Sequence, residues 1–144
     1  MEAILKHAHS GMRWLALGLL IYAIFNALMK KKNGTYSDND KLISVLTLSF
    51  IHLQVVVGFV LYFLQDRMNG FKEMSEKVLR FFALEHPLTM IIAAVLITIG
   101  HSKSKKATDS AKKFKLTYVY FGIALLLILL MIPWPFSVPS GGWF

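Results

Sequence analysis

The sequence contains no cysteine and has few acidic residues for its length. Without cysteine the chain has no disulfide, no thiolate nucleophile and no zinc site built on cysteine ligands. Asp and Glu number 8 against 16 Lys and Arg, which gives a formal net charge of +8. The lysines occur in short runs between apolar segments. We therefore interpret the excess charge as a determinant of membrane topology, and we expect no nucleic-acid partner.

Internal repeats and low-complexity tracts are also lacking, so residues 1–144 are predicted to form a single domain. No A-x-A-like cleavage site follows the first apolar run, and we expect that run to be kept as a spanning segment. Apolar residues, in contrast, are abundant. They make up 56% of the chain, and the mean hydropathy is +0.55. This composition is typical of a membrane protein with several spans.

Four apolar segments are long enough to cross a bilayer. They cover residues 10–29, 42–64, 81–100 and 116–132. Each is close to the roughly 20 residues that a helix needs to cross about 30 Å of hydrocarbon. Backbone groups in lipid must be satisfied within the segment, which favours helices. The predicted fold class is an all-α membrane protein, an antiparallel bundle of four transmembrane helices joined by short loops.

Charges in the loops predict the orientation of this bundle. The first and third loops, residues 30–41 and 101–115, are the most basic parts of the chain. Their ten lysines are Lys30, Lys31, Lys32, Lys41, Lys103, Lys105, Lys106, Lys112, Lys113 and Lys115. By the positive-inside rule these loops face the cytoplasm. Both termini then lie on the outer, periplasmic side of a bacterial cytoplasmic membrane.

Two segments outside the spans have recognisable local chemistry. Ser37, Asp38 and Asn39 are candidate caps for the second helix. The tail after the fourth span reads "IPWPFSVPSGGWF", and its prolines and glycines exclude regular helix. Its aromatic residues suit a membrane interface; they are Trp134, Phe136, Trp143 and Phe144.

Ionisable side chains inside spans are costly, so each is a candidate functional group. Counted at 1.5 Å per helical residue from the cytoplasmic end, His52 lies at roughly 16 Å and His86 at roughly 22 Å. Glu85 lies at roughly 24 Å, Arg13 at roughly 25 Å and His9 at roughly 31 Å. Arg13 and Glu85 reach the same depth, which predicts an ion pair between them. In the alternative, Arg13 extends to the outer interface while Glu85 is protonated or faces lipid headgroups.

Histidines on different helices at related depths favour a haem site. A b-type haem takes two imidazoles from facing helices, one on each side of its iron. His52 and His86 are the predicted iron ligands, and His9 is the competing second ligand, paired with His86. Arg13 follows His9 by four residues, so the two share a helix face, and its guanidinium would bind the propionates. We therefore expect one haem b as the cofactor.

A purely structural polar network is the main alternative. A histidine in a membrane helix often hydrogen-bonds a neighbouring helix and has no further role. Thr47, Ser49 and Gln54 are candidate partners near His52. Pro87 frees a backbone carbonyl one turn earlier, which a polar side chain would engage. No H-x-x-x-H spacing on one helix fixes a metal, so both readings stay open.

Four stretches, "HSGMRWLALGLL", "HLQVVVGFVLYF", "RFFALEHPLTM" and "IPWP", together resemble a family of small four-span bacterial membrane proteins described as cytochrome b-like. The resemblance covers nearly the whole chain. It implies as signature positions His9, Arg13, Trp14, His52, Glu85 and His86. A weaker similarity connects the chain with four-helix b-type cytochromes and copper-resistance membrane domains. Because this chain lacks their two matched histidine pairs, the resemblance implies one haem at most.

These observations predict a small integral membrane subunit that binds one b-type haem or works beside a quinone in a respiratory, electron-transfer complex. A chain this small has no soluble catalytic domain, so its expected partners are the lipid bilayer and other membrane subunits. The first alternative is a non-haem accessory or assembly subunit, with Arg13, Glu85 and the histidines as a structural network. The second is a small enzyme or transporter that uses Glu85 to carry protons.

Overall fold

The structure, a computed structural model, describes residues 1–139 and 141–143. Within these residues the regular structure is helical and there is no strand. Four helices are long and apolar enough to cross a membrane, as predicted. They are α1 (Glu2–Lys30), α2 (Asp38–Leu64), α3 (Lys77–Lys106) and α4 (Ser110–Met131). A short 3-10 helix, Arg67–Lys72, lies between α2 and α3.

Each helix is longer than the apolar segment that predicted it, except at the end of α4. Helix α1 begins at Glu2, about two turns before the predicted start, because polar residues can continue a helix beyond the hydrocarbon. Helix α2 begins after Ser37, one of the predicted caps. Ser37 donates its backbone N–H to the carboxylate of Asp40 over 2.9 Å. This interaction closes the first turn of α2.

Asp40 also holds α1 against α2. Its side chain is buried, and it accepts hydrogen bonds from Lys30 Nζ at 2.8 Å and Asn26 Nδ2 at 2.6 Å. Both donors belong to the last part of α1. A buried carboxylate must be paired and hydrogen-bonded to be tolerated. The first loop is therefore fixed at both of its ends by one acid.

Each long helix packs against two neighbours, and together they form a ring. Helix α1 contacts α2 and α4, and α3 contacts the same two helices. Small residues face the centre, including Ala16, Ala23, Ala93 and Ala124. They allow close helix approach, which is the main source of packing energy between helices in lipid. On α4 the buried side chains recur every three or four residues, the spacing of a helix seam; they are Phe114, Thr117, Phe121, Ala124 and Ile128.

A π-helical turn, Phe81–Glu85, interrupts α3 just before Pro87. Proline has no N–H, so the carbonyl four residues earlier, that of Ala83, loses its usual helical donor. Tyr62 of α2 supplies a replacement, since its hydroxyl donates to the Ala83 carbonyl over 3.0 Å. This is the engagement of a freed carbonyl by a polar side chain that the sequence led us to expect. It joins the end of α2 to the start of α3.

The chain folds back over the ends of the helices at two places. Asp66 has a left-handed backbone, φ 50°, which aspartate tolerates better than most residues, and it turns the chain into the 3-10 helix. The tail after α4 is irregular, as predicted, and returns over α1. Trp143 stacks on Trp14 with a ring separation of 6.5 Å, and Trp134 lies 6.2 Å from Trp14. Phe144 lies outside the described residues.

Candidate functional site

One cavity of about 420 Å³ lies inside the ring of helices. Its walls come from the first half of α1, the second half of α2, the start of α3 and the end of α4, with the tail across it. This volume falls in the range of small-molecule and cofactor sites, roughly 300 to 1,000 Å³. Apolar side chains such as Phe59, Phe82 and Met90 form part of the wall, and His9, Arg13 and His86 are among its polar members.

His86 is held in one orientation by the end of α4. Its Nδ1 lies 2.7 Å from the carbonyl oxygen of Met131. A carbonyl only accepts, so Nδ1 carries the proton, and in the neutral ring Nε2 keeps its lone pair. Metal-bound histidines usually have this arrangement, with the second ring nitrogen donating to a backbone carbonyl or carboxylate. Nε2 of His86 therefore keeps a lone pair that can bind a metal ion.

His9 stands on the opposite wall, on α1. Its Nδ1 is buried and has no hydrogen-bond partner among the described residues. Gly58 of α2 lies against the ring, and a Cβ at that position would come within 3.0 Å of the His9 Cε1 atom. Glycine at this point therefore leaves the space that the imidazole occupies. Gln54, one turn away on α2, donates Nε2 to the His9 carbonyl over 2.6 Å, while its Oε1 is buried without a partner in residues 1–139 and 141–143.

Arg13 lies one turn after His9 and also lines the cavity. Its Nη2 donates to the Trp143 carbonyl at 2.7 Å and the Gly142 carbonyl at 3.3 Å. Its Nε is buried and makes no hydrogen bond in the part of the chain that the structure describes. His9, Gln54 and Arg13, each with a buried polar atom that has no partner among the described residues, thus line one cavity. Buried polar groups are nearly always satisfied in proteins, so a concentration of exceptions points to a polar ligand.

The predicted ion pair between Arg13 and Glu85 is not present among the described residues. Glu85 instead accepts a 2.7 Å hydrogen bond from Arg80 Nε. The two are five residues apart, and the π turn, whose backbone hydrogen bonds span five residues, places them one above the other. Glu85 does not line the cavity, and the tail carbonyls satisfy part of Arg13. Arg13 and Glu85 thus each have a different partner, which the estimated depth of the two residues in the membrane did not indicate.

The structure also separates the predicted iron ligands His52 and His86. His52 is exposed on the outside of α2 and is not among the cavity-lining residues. Its Nδ1 donates to the Leu48 carbonyl at 2.7 Å, and its Nε2 lies 3.2 Å from the Thr98 hydroxyl. His52 and Gln54 differ by two positions, about 200° around a helix, so they point to opposite sides. The histidine pair that shares the cavity is His9 with His86, the alternative pairing.

Several residues of the site were not anticipated. Tyr62, Lys6 and Arg67 line the cavity, and Gln54 faces it, although the sequence suggested Gln54 as a partner of His52. A signal was present in the sequence. Gln54, Gly58 and Tyr62 follow one another at intervals of four residues, which places them on one face of the helix. On that face a glycine, which leaves space for a neighbouring group, lies between two polar side chains. No group of three or more His, Asp or Glu side chains suited to a metal ion occurs within the described residues.

Comparison with known proteins finds no matching family model, no similar curated protein and no similar solved structure. The case for a function therefore rests on the geometry of the cavity.

Proposed function

We propose that the protein is a small multi-pass subunit of the bacterial cytoplasmic membrane that binds one b-type haem in this cavity and serves an electron-transfer complex. The observation that carries the proposal is the presence of two imidazoles, His9 and His86, on different helices at one cavity. When bound, a haem would supply one-electron oxidation and reduction, which none of the side chains present offers.

The residues at the cavity suit this cofactor. His86 holds its Nδ1 proton on the Met131 carbonyl, which leaves Nε2 to act as a ligand. His9 would be the second ligand, and Nδ1 of its ring has no hydrogen-bond partner in the described part of the chain. Arg13 would bind a propionate, because it lines the cavity and has no acidic partner within the described residues. The apolar walls would exclude water from the ring of the cofactor.

His52 is the weaker candidate for the second ligand. A role for it would require the side chain to leave the Leu48 carbonyl and Thr98 and to pass around α2 into the cavity. His9 needs no such movement. We therefore assign the proposed ligation to His9 and His86 and give His52 a structural role between α2 and α3.

The proposed topology is an antiparallel bundle with both termini on the periplasmic side. Contacts between α1 and α2 support the antiparallel arrangement, because Gln54 meets His9 while Asp40 meets Asn26. The start of one helix thus lies beside the end of the next. The lysine-rich first and third loops support a cytoplasmic position for the other end. On this topology the cavity opens in the outer half of the membrane.

A non-haem accessory or assembly subunit is the second candidate. It is favoured by the number of internal partners that the polar residues already have. Arg13 binds the tail, Glu85 binds Arg80, and His86 binds α4. Such a network would stabilise the helices without a cofactor. Purification with a larger complex in equal amounts, without pigment, would favour this candidate over the first.

The test of haem binding is the ratio of haem to protein after expression with haem supplied. We expect about one haem b per wild-type chain. Gly58→Leu should reduce the ratio strongly, since even a Cβ there would lie 3.0 Å from the His9 ring. Gly18→Leu is the matched control, because a Cβ at Gly18 meets nothing within 4 Å. A wild-type protein that is folded but carries no haem would contradict the proposal, as would equal haem content in both variants.

A further inference from the structure

The charged residues that line the cavity are all of one sign. Lys6, Arg13 and Arg67 belong to its wall, and no aspartate or glutamate is found there within the described residues. Low-dielectric walls concentrate the field of such charges and favour a ligand of opposite sign. The rest of the wall contains many apolar side chains, such as Val55, Phe59 and Phe82. The complementary ligand is an apolar body that carries negative charge.

Contacts with two neighbouring side chains fix the orientation of the Arg67 guanidinium. Its Nε and Nη2 both donate to Gln65 Oε1, at 3.0 and 2.7 Å. Its guanidinium lies over the Phe82 ring, 4.4 Å from the centroid. The amide and the ring hold the group in place but leave its positive charge without an acidic partner. Planar, oriented arginines of this kind suit carboxylates, which they bind through two parallel hydrogen bonds.

The nearest acid does not remove this imbalance. Glu2 is bound to the other end of the Gln65 side chain, where it accepts from Nε2 over 3.0 Å. The ion pairs of the described residues are Lys30 with Asp40 and Arg80 with Glu85, so Arg67 is within 4.0 Å of no carboxylate there. Burial lowers the pKa of Arg67, and Glu2 offsets this in part. Burial therefore destabilises the charged form of Arg67 more than the neighbouring Glu2 stabilises it.

We propose that Arg67, together with Lys6, forms a second anion-binding position of the cavity. The ligand of the cavity is then a flat, amphiphilic dicarboxylate, with one carboxylate bound at Arg13 and the other at Arg67. Arg13 and Arg67 come from different elements, α1 and the 3-10 helix, but line the same cavity. Apolar side chains of the wall, such as Phe59 and Phe82, would contact the apolar body of the ligand. The inference rests on the proposed function, since the two propionates of a haem are such groups.

The experiment uses a ligand without iron, so that carboxylate recognition is separated from ligation by histidine. Purified protein in nanodiscs of phosphatidylcholine is titrated with protoporphyrin IX and with its dimethyl ester. Quenching of tryptophan fluorescence reports binding, because Trp14, Trp134 and Trp143 cluster beside Arg13. We expect the diacid to bind at least about tenfold more tightly than the diester, the size of one charge-assisted hydrogen-bond interaction.

Arg67→Gln should lower the affinity for the diacid about tenfold and leave the affinity for the diester unchanged. The unchanged diester affinity also shows that the variant is folded. Arg80→Gln is the matched control, since Arg80 binds Glu85 and is not a cavity residue, and it should bind both porphyrins like the wild type. An equal diacid preference in wild type and Arg67→Gln would overturn the inference.

The failure of this inference and the failure of haem binding give different results. A haem-containing wild type whose diacid preference is insensitive to Arg67 contradicts the second anion position alone. A diacid preference that depends on Arg67, in a protein that never acquires haem, contradicts haem ligation and supports the anion position. If phosphatidylglycerol displaced the diacid from the wild type but not from Arg67→Gln, the anion at Arg67 would be a lipid headgroup. That result would overturn the proposal that the ligand is a porphyrin dicarboxylate.

Discussion

The hydrogen bond from Tyr62 to the Ala83 carbonyl gives the sharpest test of the helix packing around the cavity. Tyr62→Phe removes the hydroxyl and keeps the ring, so the change is confined to one 3.0 Å interaction. Ala83 is buried, and Pro87 denies its carbonyl the usual helical donor. We expect Tyr62→Phe to lower the free energy of unfolding by about 1 kcal/mol, because net hydrogen bonds contribute about 0.5 to 1.5 kcal/mol and those between membrane helices average about 0.6.

The effect of Tyr62→Phe should depend on the residue at position 87. Pro87→Ala restores a backbone N–H to the turn that contains Ala83, so the Tyr62 hydroxyl becomes less necessary. In a double-mutant cycle, the loss caused by Tyr62→Phe should shrink to near zero in the Pro87→Ala background. The assay is equilibrium unfolding in mixed micelles of increasing SDS content.

Tyr22→Phe is the matched control for the loss of a hydroxyl. Tyr22 is 54% exposed on α1, and we expect its variant to unfold like the wild type. A Tyr62→Phe variant as stable as the wild type would refute a stabilising role for this hydrogen bond. An equal loss of stability with proline or alanine at position 87 would also refute it.

Two further predictions concern stability, measured by the same unfolding assay. Asp40→Asn should destabilise the protein by about 2 kcal/mol, because the buried carboxylate of Asp40 accepts charge-assisted hydrogen bonds from Lys30 and Asn26 that a neutral amide cannot fully replace. Asp38→Asn, at an exposed position in the first turn of α2, should change little, and similar losses in both variants would contradict the role of Asp40. Gly100→Ala should destabilise the protein by about 1 to 3 kcal/mol, because the new Cβ would lie 2.5 Å from the Tyr120 Cβ. Gly122→Ala is the control and should be neutral, since a Cβ at that position meets nothing within 4 Å. A neutral Gly100→Ala would show that α3 and α4 are farther apart.

The four helices could be predicted because hydropathy depends on composition over about twenty residues and needs no tertiary information. Their ends could not be predicted as well. Helix α1 continues through Lys6 and His9 to Glu2, and α3 begins at Lys77, where polar residues extend the helix past the apolar run. The cap at Ser37 was readable, since its chemistry with Asp40 is local.

The candidate site was only partly predictable, because chain depth does not give direction around a helix. Depth placed His52 near His86, but His52 points away from the cavity and His9 points into it. The i, i+4 relation between His9 and Arg13 did predict their common face, because it depends on helix geometry alone.

The charged partners depended on features that the sequence does not display. Glu85 binds Arg80 across a π turn, and a helical register of 3.6 residues gives no indication of that insertion. Arg13 binds the carbonyl of Trp143, which is 130 residues away in the chain. Contacts with an irregular tail have no periodic signature, so only the folded chain could reveal them.

The central claim, that His9 and His86 form a haem site at the cavity, is tested most directly by a reduced-minus-oxidised optical spectrum of purified variants expressed with haem supplied. We expect the Soret and α bands of one haem b in the wild type and in His52→Ala, and the loss of that spectrum in His9→Ala and His86→Ala. A wild type without a Soret band would contradict the claim, and so would a spectrum that is lost in His52→Ala but kept in His9→Ala.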